Sequence, residues 1–140
     1  MQLETKIAVH NVRRMNVVDS IYERMTDSER EVSGYLKEID LWWVFEFPVF
    51  VYDENDRPRL WTPDFYVPKL GLFIEVCGSV KFDYEYRKKI YEKNGIPVVF
   101  LHYYKRRIKW KFFLAKRIMG IEQQRKSEAE KFMAGMHANT

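Results

Sequence analysis

The chain has 140 residues, a net charge of +4, and a composition 46% hydrophobic and 16% aromatic. That is ample apolar mass for one packed domain and too much for a disordered chain. Cys77 is the only cysteine, which excludes an intramolecular disulfide or a cysteine-cluster zinc site and fits a reducing, cytoplasmic setting.

Residues 1–26 carry the weakest pattern. Lys6–Val9 reads as a short strand. Asn16–Met25 reads as a helix bearing Val17, Val18, Ile21 and Tyr22, or as an arm reaching a second subunit. A stronger helix opens at Ser28, where Ser28-x-x-Glu31 fits a capping box. Val32, Tyr35, Leu36 and Ile39 follow at helical spacing. Glu29 falls on or beside that apolar face; it reads equally well as a first-turn acid favoured by the helix dipole.

Leu41–Tyr52 predicts a strand, weakened at Pro48. Asp53–Pro58 is a turn. Arg59–Val67 predicts a second, antiparallel strand, Pro68–Gly71 another turn, and Leu72–Cys77 a third strand. Asp83–Asn94 predicts a helix closed by Gly95. Ile96–Leu101 predicts a buried strand, parallel to the third through a crossover. From about residue 106 the chain reads as helical, interrupted at Gly120 and fraying from Gly135. The expected fold is α/β, a mixed sheet of four to five strands flanked by helices. All 140 residues are expected in one domain, with 28–102 as its core and 105–135 as a basic, then amphipathic, helix.

Two carboxylates stand out. Pro63-Asp64 opens one strand segment, and Glu75 lies eleven residues later between Ile74 and Val76. A carboxylate inside an apolar strand is costly unless a proton, a cation or a metal compensates it. Two of them on neighbouring strands suggest a hard divalent cation such as Mg²⁺, with Mn²⁺ as a substitute. The backbone carbonyl of Val76 would be a third ligand, and Glu29 a fourth if its helix packs behind the strands.

Thr62-Pro63-Asp64-Phe65 followed by Phe73-Ile74-Glu75-Val76-Cys77 resembles the PD-(D/E)xK nuclease motif. With Glu29-x-x-Val32, Leu36, Leu41, Phe45-Glu46 and Gly78, the succession over residues 28–102 is similar to that of phage endonuclease I-type junction resolvases. The resemblance implies a restriction-endonuclease-like core and Mg²⁺-dependent hydrolysis of phosphodiester bonds in DNA, often branched DNA. It implies Glu29, Asp64 and Glu75 as acidic site residues, and a phage or viral setting. Glu46 matches an acid of less defined role.

The motif lysine falls on Cys77. A thiol with an ordinary pKa near ~8.5 cannot supply that positive charge, and a lost electrostatic donor costs on the order of 10²–10³ in rate. Lys81, Lys88, Arg87 and Lys69 are the candidate replacements, with Tyr84, Arg87, Lys88 and Tyr91 sharing one side of their helix. The alternative is a nuclease-fold protein that binds DNA without cutting it. Cys77 itself reads as a small, half-buried strand residue.

Lys105, Arg106, Arg107, Lys109 and Lys111 form a basic run, extended by Lys116 and Arg117 and interleaved with aromatics, as suits a nucleic-acid backbone. The plainer reading is an amphipathic helix packing Ile108, Phe112, Ala115 and Met119 on the sheet. Ile121, Phe132 and Met133 are candidates for a homodimer contact. His10, His102 and His137 share no metal-ligand spacing. No apolar run reaches membrane-spanning length, and the first residues lack a signal-peptide core.

Overall fold

The computed structural model describes residues 21–79, 82–105 and 107–138. The expected strand at Lys6–Val9 and most of the expected Asn16–Met25 helix lie outside them; residues 21–24 are helical. The architecture is α/β, with a mixed four-stranded sheet, a separate two-stranded ribbon and three long helices.

Helix α1 spans Asp27–Glu38 and is capped by Thr26, not Ser28. Thr26 and Ser28 are each followed three residues later by a glutamate, so the sequence holds two overlapping capping boxes. Thr26 and Glu29 form the one used, each side chain meeting the other's backbone N–H. Glu31 is left to accept from the Tyr103 hydroxyl.

The two strands expected over 41–52 and 59–67 are each split. Strand β1 (Val44–Phe45) pairs with β4 (Phe65–Val67), while β2 (Val49–Tyr52) pairs with β3 (Pro58–Trp61). Both pairings keep one register, so this is a single long hairpin broken at one level. At the break Glu46 takes a left-handed backbone, φ 55°, and Pro63 cannot donate to a ladder. One bond crosses there, from the Glu46 N–H to the Asp64 carbonyl at 2.9 Å. The outer half of the hairpin peels away as a ribbon, and Asp64 is released from the ladder.

Strand β5 (Leu72–Val76) pairs antiparallel with β4 and parallel with β6 (Val98–Leu101), giving the order β1-β4-β5-β6. The β4–β5 turn needs Gly71, at φ 56°. Helix α2 (Tyr84–Lys93) makes the expected crossover, with Asp83 as N-cap and Gly95 at φ 66° just beyond its end.

Alternation along the strands sorts side chains to two faces. Phe65, Val67, Leu72, Ile74, Val99 and Leu101 pack with Val32 and Leu36 of α1 and with Trp110, Leu114 and Ile118 of the last helix. The other face meets α2 and the ribbon through Val51, Ile90 and Tyr91, with Trp61 and Phe100 against them.

The last helix, α3 (Trp110–Ala138), starts four residues later than expected and runs through Gly120 unbroken. One glycine costs a helix only about 1 kcal/mol. Its inner face also differs. Ile108, Phe112 and Met119 are exposed, and Trp110, Leu114 and Ile118 are buried. Both stripes satisfy helical spacing; Trp110, packed edge-on to Tyr35 at 5.5 Å, decides between them.

Asn94 pins the ribbon to α2. Its side chain accepts from the Tyr52 N–H at 2.8 Å and donates to the Tyr52 carbonyl at 2.9 Å. Asn94→Ala is expected to cost about 1–3 kcal/mol and to speed amide exchange across β2 and β3. Unchanged exchange in that ribbon would show that the pin does not hold it.

Candidate active site

The site forms at one end of the sheet. Strand β5 ends there, β6 ends beside it, and antiparallel β4 begins there. The start of α1 lies against the same end, since a Cβ added at Gly78 would lie 3.9 Å from the Ser28 hydroxyl. The carboxyl ends of strands are where open α/β sheets commonly bind ligands.

Asp64 and Glu75 come together as neighbours across β4 and β5. The Val76 N–H donates to Asp64 Oδ2 at 2.7 Å. Within an extended strand the N–H and C=O of one residue point the same way, so the Val76 carbonyl also faces the Asp64 side. Glu75 is buried, on the sheet face that meets α2.

A single guanidinium answers Glu75. Arg87, in the first turn of α2, donates from Nε to Glu75 Oε2 at 3.0 Å. The pair is sheltered, with 18% of the Arg87 and 9% of the Glu75 side chain exposed. Arg87 also donates from Nη2 to the Tyr91 hydroxyl at 2.9 Å. Its guanidinium lies 4.6 Å from the Trp61 ring centre, 5.6 Å from Tyr91 and 5.7 Å from Phe82.

The electrostatics follow from crowding negative charge where water is scarce. Burial, then the Glu75 charge, pushes Asp64 up to about 7, against the pull of the Val76 N–H. Burial also raises Glu75, with Arg87 opposing it. The Glu29 charge pushes both upward, so it stands within electrostatic range. Its Oε1 is nevertheless engaged by the Thr26 hydroxyl at 2.9 Å, which is the first-turn role its position allowed.

Cys77 is wholly buried rather than half-buried. Burial first, then Glu75 and Asp64, pushes its thiol up to about 12. It stays protonated at neutral pH and is no nucleophile.

The basic candidates separate clearly. Arg87 reaches Glu75. Lys88 is exposed and lines a cavity of about 340 Å³ with Tyr84, Phe100, His102 and Arg117, beyond edge strand β6. Lys69 sits in the β4–β5 turn, at the opposite end of β5. Lys81 and Arg106 lie outside the described residues. Glu46 pairs with Arg24 through its side chain.

Lys105, Arg107, Lys109 and Lys111 are exposed just past the end of β6, at the site's end of the sheet. Lys111 also lies over Tyr35 and Trp110, at 5.5 and 5.7 Å. Ile121 packs against the core, while Phe132 and Met133 are exposed far along α3.

Sequence reasoning placed Arg87 and Tyr91 on one helix side. It missed the aromatic walls: Trp61 comes from the ribbon that folds over α2, and Phe82 from the bend just ahead of α2.

The donors present suit Mg²⁺, which binds through one or two carboxylates and keeps several waters. Asp64, Glu75 and the Val76 carbonyl would hold it. No third His, Cys, Asp or Glu among the described residues joins them in a metal-ligand cluster. Comparison with family models, characterised proteins and solved structures finds no match to this chain.

The raised Asp64 pKa makes a stability prediction. The folded state holds that proton more tightly than the unfolded chain does. Its stabilising contribution is complete below the ordinary carboxylate range and is lost as pH rises through about 7. In metal-free buffer, Asp64→Asn should raise stability at pH 8 by about 1–2 kcal/mol, with a smaller gain at pH 5. Thermal unfolding across that range checks it; parallel curves for the two proteins would contradict it.

Proposed function

We propose that the protein is a Mg²⁺-dependent DNA endonuclease with a restriction-endonuclease-like core. The observation that carries this reading is the Asp64–Glu75 pair, two crowded carboxylates at the carboxyl end of a mixed sheet, with one guanidinium beside them. The resemblance of Pro63-Asp64 and Glu75-Val76-Cys77 to the PD-(D/E)xK pattern supports it.

Bound Mg²⁺ would neutralise phosphate charge and lower the pKa of the attacking water. The chain's residues do the rest. Asp64, Glu75 and the Val76 carbonyl would hold the ion. Arg87 takes over the positive charge that Cys77 cannot provide. Lys105, Arg107 and Lys109, exposed in the segment that follows β6, would contact the DNA backbone. Branched DNA, whose arms present backbone from several directions, is the preferred substrate in this proposal.

A second reading rests on Cys77, a buried neutral thiol where the motif carries a lysine. It makes the protein a DNA binder that has lost cleavage. Among the described residues no helix is long and apolar enough to cross a membrane.

Nicking of supercoiled plasmid and of four-way junctions, with Mg²⁺ and with EDTA, separates the readings. Wild type should cut with Mg²⁺, and Asp64→Asn should lose on the order of 10²-fold or more of that rate. Equal cutting by Asp64→Asn would refute the assignment. A silent wild type that still binds DNA, and that cuts once changed to Cys77→Lys, would establish the second reading.

A further inference from the structure

We infer that Arg87 is the resident counter-ion of the Asp64–Glu75 site, and that a divalent cation enters by displacing its guanidinium from Glu75. The inference rests on the metal site proposed above and adds a rule for how that site is occupied.

Three observations carry it. First, the positions compete. Arg87 Nε occupies Glu75 Oε2 at 3.0 Å, on the carboxylate that a cation shared with Asp64 would use. Second, the charges favour exchange. With both carboxylates ionised, one guanidinium leaves the cluster at −1, whereas a divalent ion matches the two carboxylate charges at one point. Third, Arg87 has holds that do not depend on Glu75: the Tyr91 hydroxyl at 2.9 Å and the faces of Trp61, Tyr91 and Phe82. An arginine held only by its carboxylate would be lost to solvent on release. Held by this cage, it stays beside the ion and keeps its charge available to an anion such as a phosphodiester.

The pair also serves the protein before any ion binds. A buried carboxylate left unpaired is strongly destabilising. Arg87 keeps Glu75 compensated until the ion arrives, and the ion's affinity is reduced by the guanidinium it must move. Removing Arg87 should therefore tighten ion binding even as it slows cleavage, which is the reverse of what an ordinary loss of a site residue does.

The test is Mg²⁺ titration of the full chain without DNA, by calorimetry and by tryptophan emission. Arg87→Met should bind Mg²⁺ about tenfold or more tightly than wild type, because a nearby unit charge of like sign is gone. In wild type, Mg²⁺ should shift the emission at the calorimetric midpoint as the guanidinium, released from Glu75, shifts against the Trp61 face it still covers, and Trp61→Phe should abolish that shift. The emission test needs no change at Arg87, so it stands even where Arg87→Met fails to fold. Equal or weaker binding by Arg87→Met overturns the displacement, as does Mg²⁺ heat in wild type with no Trp61 response. Absence of Mg²⁺ binding in both proteins overturns the metal site itself.

Discussion

Glu75 is the constraint around which the site is organised. It sits in the most buried strand of the sheet, 7% exposed, with Asp64 beside it across β4. Two carboxylates in such surroundings repel each other and lose hydration, and both titrate upward as a result. The fold answers with one guanidinium rather than with apolar replacement. Substituting hydrophobic groups for a buried ion pair is often neutral or stabilising. Folding stability alone therefore gives no reason to keep a carboxylate pair here. In the function proposed above, its physical use is to hold positive charge.

Several local features serve that placement. The long hairpin breaks where Glu46 turns left-handed and Pro63 drops out of the ladder. The break frees Asp64 to meet the Val76 N–H, and it lets the outer ribbon swing over α2. The ribbon then brings Trp61 onto Arg87. Asn94, at the far end of α2, fixes the ribbon by pairing with Tyr52. One interruption in one hairpin thus sets both the carboxylate and the aromatic wall behind its counter-ion.

Much of this was legible in the sequence. The apolar run around Glu75, Pro63 ahead of Asp64 and the Gly95 stop are local signals, and they gave the mixed sheet, the crossover and the carboxylate pair. Positions 84, 87, 88 and 91 were legible as one helix side. The rest depended on choices that spacing leaves tied. Thr26 and Ser28 both begin a capping box, and the helix uses Thr26. Two stripes run along α3, and the bulk of Trp110 selects the one that is buried. The split of the hairpin needed a positive φ at Glu46, a residue type that carries no such signal. Which basic side chain meets Glu75 depended on the ribbon, which lies far from Arg87 in sequence.

The central claim is that Asp64 and Glu75 together hold a divalent cation. Crystals soaked in Mn²⁺ and measured for anomalous scattering test it most directly. The account predicts a peak within coordination distance of both carboxylates and of the Val76 carbonyl, with Arg87 moved off Glu75 Oε2. A saturating soak with no peak there, and with the Arg87–Glu75 pair intact, would contradict it.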